Sequence, residues 1–318
     1  MRQSLRTLLE HIIDYAGLYP PAKLELPEAI GNYLAYRESD ESWMLGRFIC
    51  PAPRLGELEP YADRFATRPL RVSATFAPAE SREAFLESLS MQAQRLGLIQ
   101  KRLPWITIEM TEVRLPDDLT VEQFEDFLSH VEQCFRDAGV GMPLEVYEIP
   151  HDEAALELVR QLGRGRLRTI RDRQRVLIKL RCGGPKPQSI PPAAFVAKVI
   201  HTCRESGVPL KFTAGLHHPF RHVDPVLQCP MHGFLNLLVA GVLAYALRLD
   251  EPDVRAIVEE TDPWQFTFED EYLAWNEAEA TLGEIRFARR HHLMGFGSCS
   301  FTEPIEDLRQ LGLMQSSN

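Results

Sequence analysis

Short apolar or β-branched runs alternate along the chain with longer amphipathic stretches, and this alternation predicts a parallel α/β sheet. Eight runs read as strands: 12–19, 43–51, 70–78, 105–113, 143–150, 176–184, 209–216 and, the weakest, 264–270. Helical stretches lie between them. AESREAFLESLSMQAQRLG starts at 79, and TVEQFEDFLSHVEQCFRDAG opens at Thr120 on a capping-box pattern and ends at Gly139. IPPAAFVAKVIHTCRESG also stops on a glycine, Gly207. Eight strand–helix units predict a single-domain (β/α)8 barrel over residues 1–318. A doubly wound open sheet is the competing architecture, and it lacks a GxGxxG after the first run.

Two apolar segments need a separate decision. Residues 1–17 have a basic start at Arg2, but Glu10, His11 and Asp14 interrupt them, so they predict an amphipathic helix and not a signal peptide. Residues 233–247 are the most apolar stretch. They are too short for a membrane span of roughly 20 residues and contain Asn236, which predicts a buried helix.

Composition narrows the function classes. The 318 residues are 45% hydrophobic and 25% charged, enough for a sizeable core. A net charge of −10 argues against a nucleic-acid partner. The one basic cluster, RGRLRTIRDRQR at 164–175, is broken by Asp172 and reads as a solvated helix and turn. Six scattered cysteines without CxxC spacing fit reduced thiols and a cytoplasmic location. No membrane partner is expected, and the composition is compatible with a homo-oligomer.

In a barrel the chemistry sits at the C-terminal strand ends, and side chains alternate along each strand. Val176, Ile178 and Leu180 share one face of VLIKLR, which turns Lys179 and Arg181 into the barrel. The same rule turns in Lys211 and Thr213, then Thr107, Glu109 and Thr111, and also Arg47, Thr75, Glu145 and Tyr147. An interior holding Arg47, Glu109, Glu145, Lys179, Arg181 and Lys211 is costly as a purely structural core, at several kcal/mol of desolvation per ion. The positive excess predicts a small anionic substrate clamped by Arg47 and Arg181. The competing reading is a structural salt-bridge network.

Two adjacent lysines disfavour each other's charge, and a neutral lysine can form a Schiff base with a carbonyl. The segments KLRCG and KFTAG resemble the strand-six and strand-seven lysine segments of class I aldolases of the deoxyribose-phosphate aldolase type. That resemblance covers about 45 residues and implies a barrel with Lys179 as the Schiff-base nucleophile and Lys211 as its partner. No cofactor is then required. Leu180, Arg181 and Cys182 stand where that family has small hydroxylated residues, and Leu216, His217 and His218 stand where it has a phosphate-binding glycine pair. Its acidic residue on strand three has no counterpart; Glu109 or His217 would transfer protons instead. DYAGLYPPA, TAGLHHP and FGSCSF also resemble blocks of bacterial proteins of unassigned function.

The histidines open a second reading. His217, His218 and His222, with Glu109 or Glu145, form a candidate divalent-metal set for a hydrolase or lyase, although the spacing matches no known signature. Asp14, ahead of the stiff GLYPP turn, is a candidate substrate contact. So is Ser298 in GFGSCSFTEP, a loop whose backbone N–H groups suit an anion. Cys299 and Cys182 are candidate nucleophiles with no base assignable from sequence. His291 and His292 read as helix-end cations. A third reading is a non-catalytic barrel that binds a small anion or a partner.

Overall fold

The computed structural model describes residues 1–141, 143–164 and 175–315, so all but the ends of the basic cluster at 164–175 lies outside the described residues. The barrel strands are β1 (Ile13–Tyr15), β2 (Leu45–Pro51), β3 (Leu70–Thr75), β4 (Ile106–Arg114), β5 (Leu144–Glu148), β6 (Val176–Arg181), β7 (Leu210–Thr213) and β8 (Leu293–Ser298). They close in the order β1-β8-β7-β6-β5-β4-β3-β2, the ring expected of a (β/α)8 barrel. The chain divides into two compact units, Met1–Gly46 with Lys179–Asn318, and Arg47–Ile178.

The helices are α1 (Gln3–Leu9), α2 (Leu26–Glu38), α3 (Arg82–Arg102), α4 (Val121–Asp137), α5 (Glu153–Arg164), α6 (Ala193–Ser206), α7 (Phe234–Leu247), α8 (Glu251–Glu259), α9 (Leu282–His291) and α10 (Thr302–Gln310). Helix α1 takes up the predicted N-terminal helix. Helix α6 stops where predicted, at Gly207 in a left-handed conformation (φ 64°). Helix α7 is buried along Phe234–Ala244, Asn236 included. The Asn236 amide donates to the carbonyls of Ile257 and Glu260, both at 2.9 Å, which compensates its burial. Among the described residues, no helix is long and apolar enough to cross a membrane.

The weakest predicted strand is not a barrel strand. Phe266–Phe268 pairs antiparallel with Tyr272–Trp275, which pairs with Ala278–Thr281. A tight turn closes the first pairing, with the Glu269 N–H donating to the Tyr272 carbonyl at 2.9 Å. The eighth barrel strand is instead LMGFGS, which the sequence presents as a glycine-rich loop. Gly295 has φ 110°, and a Cβ there would lie 2.5 Å from the Ile12 carbonyl oxygen. The close passage of β8 beside the chain entering β1 therefore requires glycine, and glycine hides the strand from propensity.

His292 corrects another expectation. Its ring stacks on Tyr245 of α7, centroids 3.7 Å apart at 14°, and burial, then the charge of His291, pulls its pKa down to about 4. The folded protein thus holds a neutral imidazole, not a helix-end cation. The unfolded chain takes up this proton near pH 6.5, so the stabilisation is complete above that pH and is lost as pH falls toward 4. Because the ring is partly exposed, the loss is discounted to on the order of 1–2 kcal/mol. His292→Phe keeps a stacked ring without the proton. Its urea midpoint should fall less between pH 7 and pH 4.5 than that of the wild type; equal falls would contradict this assignment.

Candidate active site at the strand ends

The unit built from β6, β7, β8 and β1 carries a buried charged pair. Asp14 is the middle residue of β1, and its neighbours across the ladder are Gly297 in β8 and then Thr213 in β7. Gly297 brings no side chain into this layer. Lys211, one layer below Thr213, is fully buried, and its Nζ lies 2.5 Å from Asp14 Oδ2. Gly46 makes room for this carboxylate, since a Cβ at that position would lie 2.3 Å from Asp14 Oδ1. The sequence marked Asp14 as a substrate contact, and the structure makes it the counter-charge of Lys211.

Lys179 is on the neighbouring strand, β6. The Cys182 N–H donates to the Thr213 carbonyl at 2.7 Å. In a parallel ladder that bond follows an Arg181–Thr213 neighbour pair, so two residues earlier Lys179 and Lys211 run side by side. Lys179 is buried with only 8% exposure. Arg181, at the end of β6, is exposed and donates from Nη1 to the Gly183 carbonyl at 3.3 Å. The strand-end cation is thus open to solvent while both lysines are covered.

A second group sits just past the ends of β7 and β8. His217 Nδ1 is 2.8 Å from Glu303 Oε2, and His217 Nε2 is 3.9 Å from Cys299 Sγ. The hydrogen bond with Cys299 raises the His217 pKa, burial opposes it, and the charges of Cys299 and Glu303 add to the rise. Burial pushes the Tyr15 phenol up to about 12, and the charges of Tyr36 and then Cys299 add to the rise. Ser298 is buried, and its Oγ accepts the Ser300 N–H at 3.3 Å, so it shapes the turn into α10. His218 takes a different carboxylate, Asp307, at 2.5 Å, and its ring meets His222 edge-on at 4.4 Å. His222 Nδ1 lies 3.1 Å from the Phe220 carbonyl oxygen. The predicted metal set is therefore spread over separate partners. Among the described residues, no three His, Cys, Asp or Glu side chains converge as a cation site.

In the unit Arg47–Ile178 the predicted inward set is rearranged. The β3–β4 register pairs Val72 with Ile108 but Ser73 with Met110, so Glu109 is skipped by a bulge and the alternation of β4 changes phase. Glu109 lies 2.8 Å from Arg47 Nε and 2.7 Å from Arg71 Nε, in the N-terminal half of the strands. Conserved or not, that half of a barrel strand is where stability features sit, whereas catalysis uses the other end. Beyond the bulge Glu112, and not Thr111, shares the face of Thr75, and its Oε1 accepts the Ser73 hydroxyl at 2.6 Å. Glu145 and Tyr147 also sit on the opposite face from the one predicted. The Tyr147 ring packs edge-on against Phe127 of α4, and its hydroxyl donates to Glu145 Oε2 at 2.8 Å. Arg175 lies 3.7 Å from the other Glu145 oxygen. These contacts satisfy a buried carboxylate on the helix side of the sheet.

The structure thus pairs Asp14 with Lys211, sets Thr213 in the ladder row of Asp14 and Lys179 on the strand beside Lys211, and brings His217 to Cys299. It sets Glu109 and Arg47, and separately Glu145, in ion-pair networks of their own. The Cys299–His217–Glu303 grouping escapes sequence reasoning because 82 residues separate the thiol from the imidazole. The only local trace was a cysteine in a loop that enters a helix. No protein-family model matches the chain, and neither the curated proteins nor the solved structures yield a match. Function is therefore read from the chemistry of the site.

Proposed function

We propose that this barrel is an enzyme acting on a small anionic carbonyl compound by aldolase- or lyase-type chemistry. One observation carries the reading: two buried lysines occupy neighbouring positions of the β6–β7 ladder, and Asp14 bonds one of them, Lys211, at 2.5 Å. Two amines in one covered layer are expensive for stability alone. Their adjacency favours a neutral amine, the form that attacks a carbonyl.

Lys179 is the nucleophile in this account. Its amine adds to the substrate carbonyl, water leaves, and the protonated imine accepts the electron pair of the cleaving carbon–carbon bond. Lys211, held by Asp14, is the electrostatic partner. His217 moves protons at the mouth, a role that Glu109 leaves open through its pairing with Arg47 and Arg71. Arg181, exposed at the end of β6, holds the anion, and Thr213 lines the same layer as Asp14.

The test is a cleavage assay on 4-hydroxy-2-oxo acids and phosphorylated 3-hydroxy aldehydes, with the released carbonyl captured as a hydrazone. Lys179→Met should reduce cleavage by about three orders of magnitude or more, the scale expected for loss of a nucleophile. Arg181→Gln should mainly raise KM. Full activity in a folded Lys179→Met protein would contradict the assignment.

A further inference from the structure

Past the ends of β7 and β8 lies a constellation that the Schiff-base reading does not need. A thiol, an imidazole and a carboxylate form a chain: Cys299 Sγ to His217 Nε2 at 3.9 Å, and His217 Nδ1 to Glu303 Oε2 at 2.8 Å. The two ring nitrogens thus have different partners, the order required of a nucleophile, its base and the group that orients the base. The three residues come from three elements: the end of β8, the loop after β7 and the first turn of α10. Cys299 is 9% exposed and Glu303 lies on the surface, so the chain runs from a covered thiol out to solvent.

We infer that Cys299, His217 and Glu303 form a thiol-based catalytic centre that cleaves a carboxylic ester or thioester. The Cys299 thiol gives its proton to His217, and the thiolate adds to the acyl carbonyl carbon. The bond from that carbon to the leaving oxygen or sulfur breaks, and the imidazolium protonates the leaving group. Water then adds to the acyl–sulfur carbonyl while His217 takes its proton. The carbon–sulfur bond breaks, a carboxylic acid departs, and the returning proton restores the thiol. Only water is consumed.

The other cysteines mark the contrast. Burial pushes the Cys50 thiol up to about 12, and it raises Cys203 and Cys134 as well. Cys182 is fully buried and aims its sulfur at the Leu180 carbonyl, 3.7 Å away. Of the described thiols, Cys299 is the one that faces an imidazole with a carboxylate behind it. This inference goes beyond the Schiff-base reading and shares only His217 with it. An ester probe has no aldehyde or ketone, so failure of either reading can be recognised separately.

The test uses the full chain and 4-nitrophenyl acetate. The expected result is a burst of one nitrophenol per chain, with the acetyl group located on Cys299 by peptide mass spectrometry. Cys299→Ala should abolish the burst, and His217→Ala should slow acylation by about 100-fold or more. Iodoacetamide offers a measurement on the unmodified protein: Cys299 should be alkylated first among the six cysteines. Glu303 is a positioning residue. Glu303→Gln should lower the pKa of His217, read from the NMR signals of its ring, and slow the alkylation of Cys299, because the imidazolium facing Cys299 loses the carboxylate at its Nδ1. A burst that survives Cys299→Ala, an acetyl group on another residue, or alkylation of Cys299 at wild-type rate in His217→Ala would overturn the inference.

Discussion

Asp14→Ala should destabilise the protein by about 3–5 kcal/mol, the scale for removing one partner of a buried ion pair. The reason is that Lys211 has no exposure at all, and Asp14 is its bonded counter-charge at 2.5 Å. Without the carboxylate, a buried ammonium loses its bonded counter-charge, and that costs free energy. Lys211→Met removes the bonded cation from buried Asp14 and should cost a comparable amount. Asp14→Leu combined with Lys211→Met should recover most of the loss, since a packed apolar pair carries no desolvation penalty. The comparison is made by urea unfolding of the three variants. A double variant as unstable as either single one would show that shape, not charge, governs this layer. The same double variant should be inactive, because its stability returns without the proposed electrostatic partner of Lys179.

Gly183→Ala should cost about 3 kcal/mol, the upper range for forcing extra atoms into a packed interior. A Cβ at Gly183 would sit 2.6 Å from the Gly215 Cα and 2.9 Å from its nitrogen. Those are backbone atoms and cannot swing aside. Gly215 itself has φ +70°, so its peptide is fixed in a conformation that side chains resist. Relief requires the ends of β6 and β7 to separate, at the expense of the bond between the Cys182 N–H and the Thr213 carbonyl. The lysine pair lies two residues below that bond, and His217 lies two residues beyond Gly215. Thermal unfolding and activity should therefore fall together. An alanine variant with wild-type stability would mean that the two strand ends are farther apart than described.

The burial of Lys179 and Lys211 was legible because each stands inside an aliphatic run. Seven of the eight barrel strands were legible for the same reason. The eighth was not, because Gly295 and Gly297 serve backbone approach and an open layer and so leave no β-forming signal. Strand β4 misled in a different way. Alternation assumes an unbroken ladder, and the bulge at Glu109 exchanges the faces beyond it. On β5 the alternation was right but its sense was not, because buried polar residues were assigned to the interior. Glu145, Tyr147 and Arg175 satisfy one another on the helix side, and no sequence pattern announces such a partnership. The thiol–imidazole pair was hidden by distance along the chain, since only closure of β8 against β1 and β7 brings residue 299 to residue 217.

The most direct measurement of the central claim is reductive trapping. The protein is incubated with a panel of small 2-oxo acids and phosphorylated aldehydes, treated with borohydride, and mapped by peptide mass spectrometry. The Schiff-base account predicts a stable secondary amine on Lys179, with substrate carbon attached, and no such adduct in Lys179→Met. An adduct confined to surface lysines, or none with any carbonyl compound tested while the protein remains folded, would contradict it.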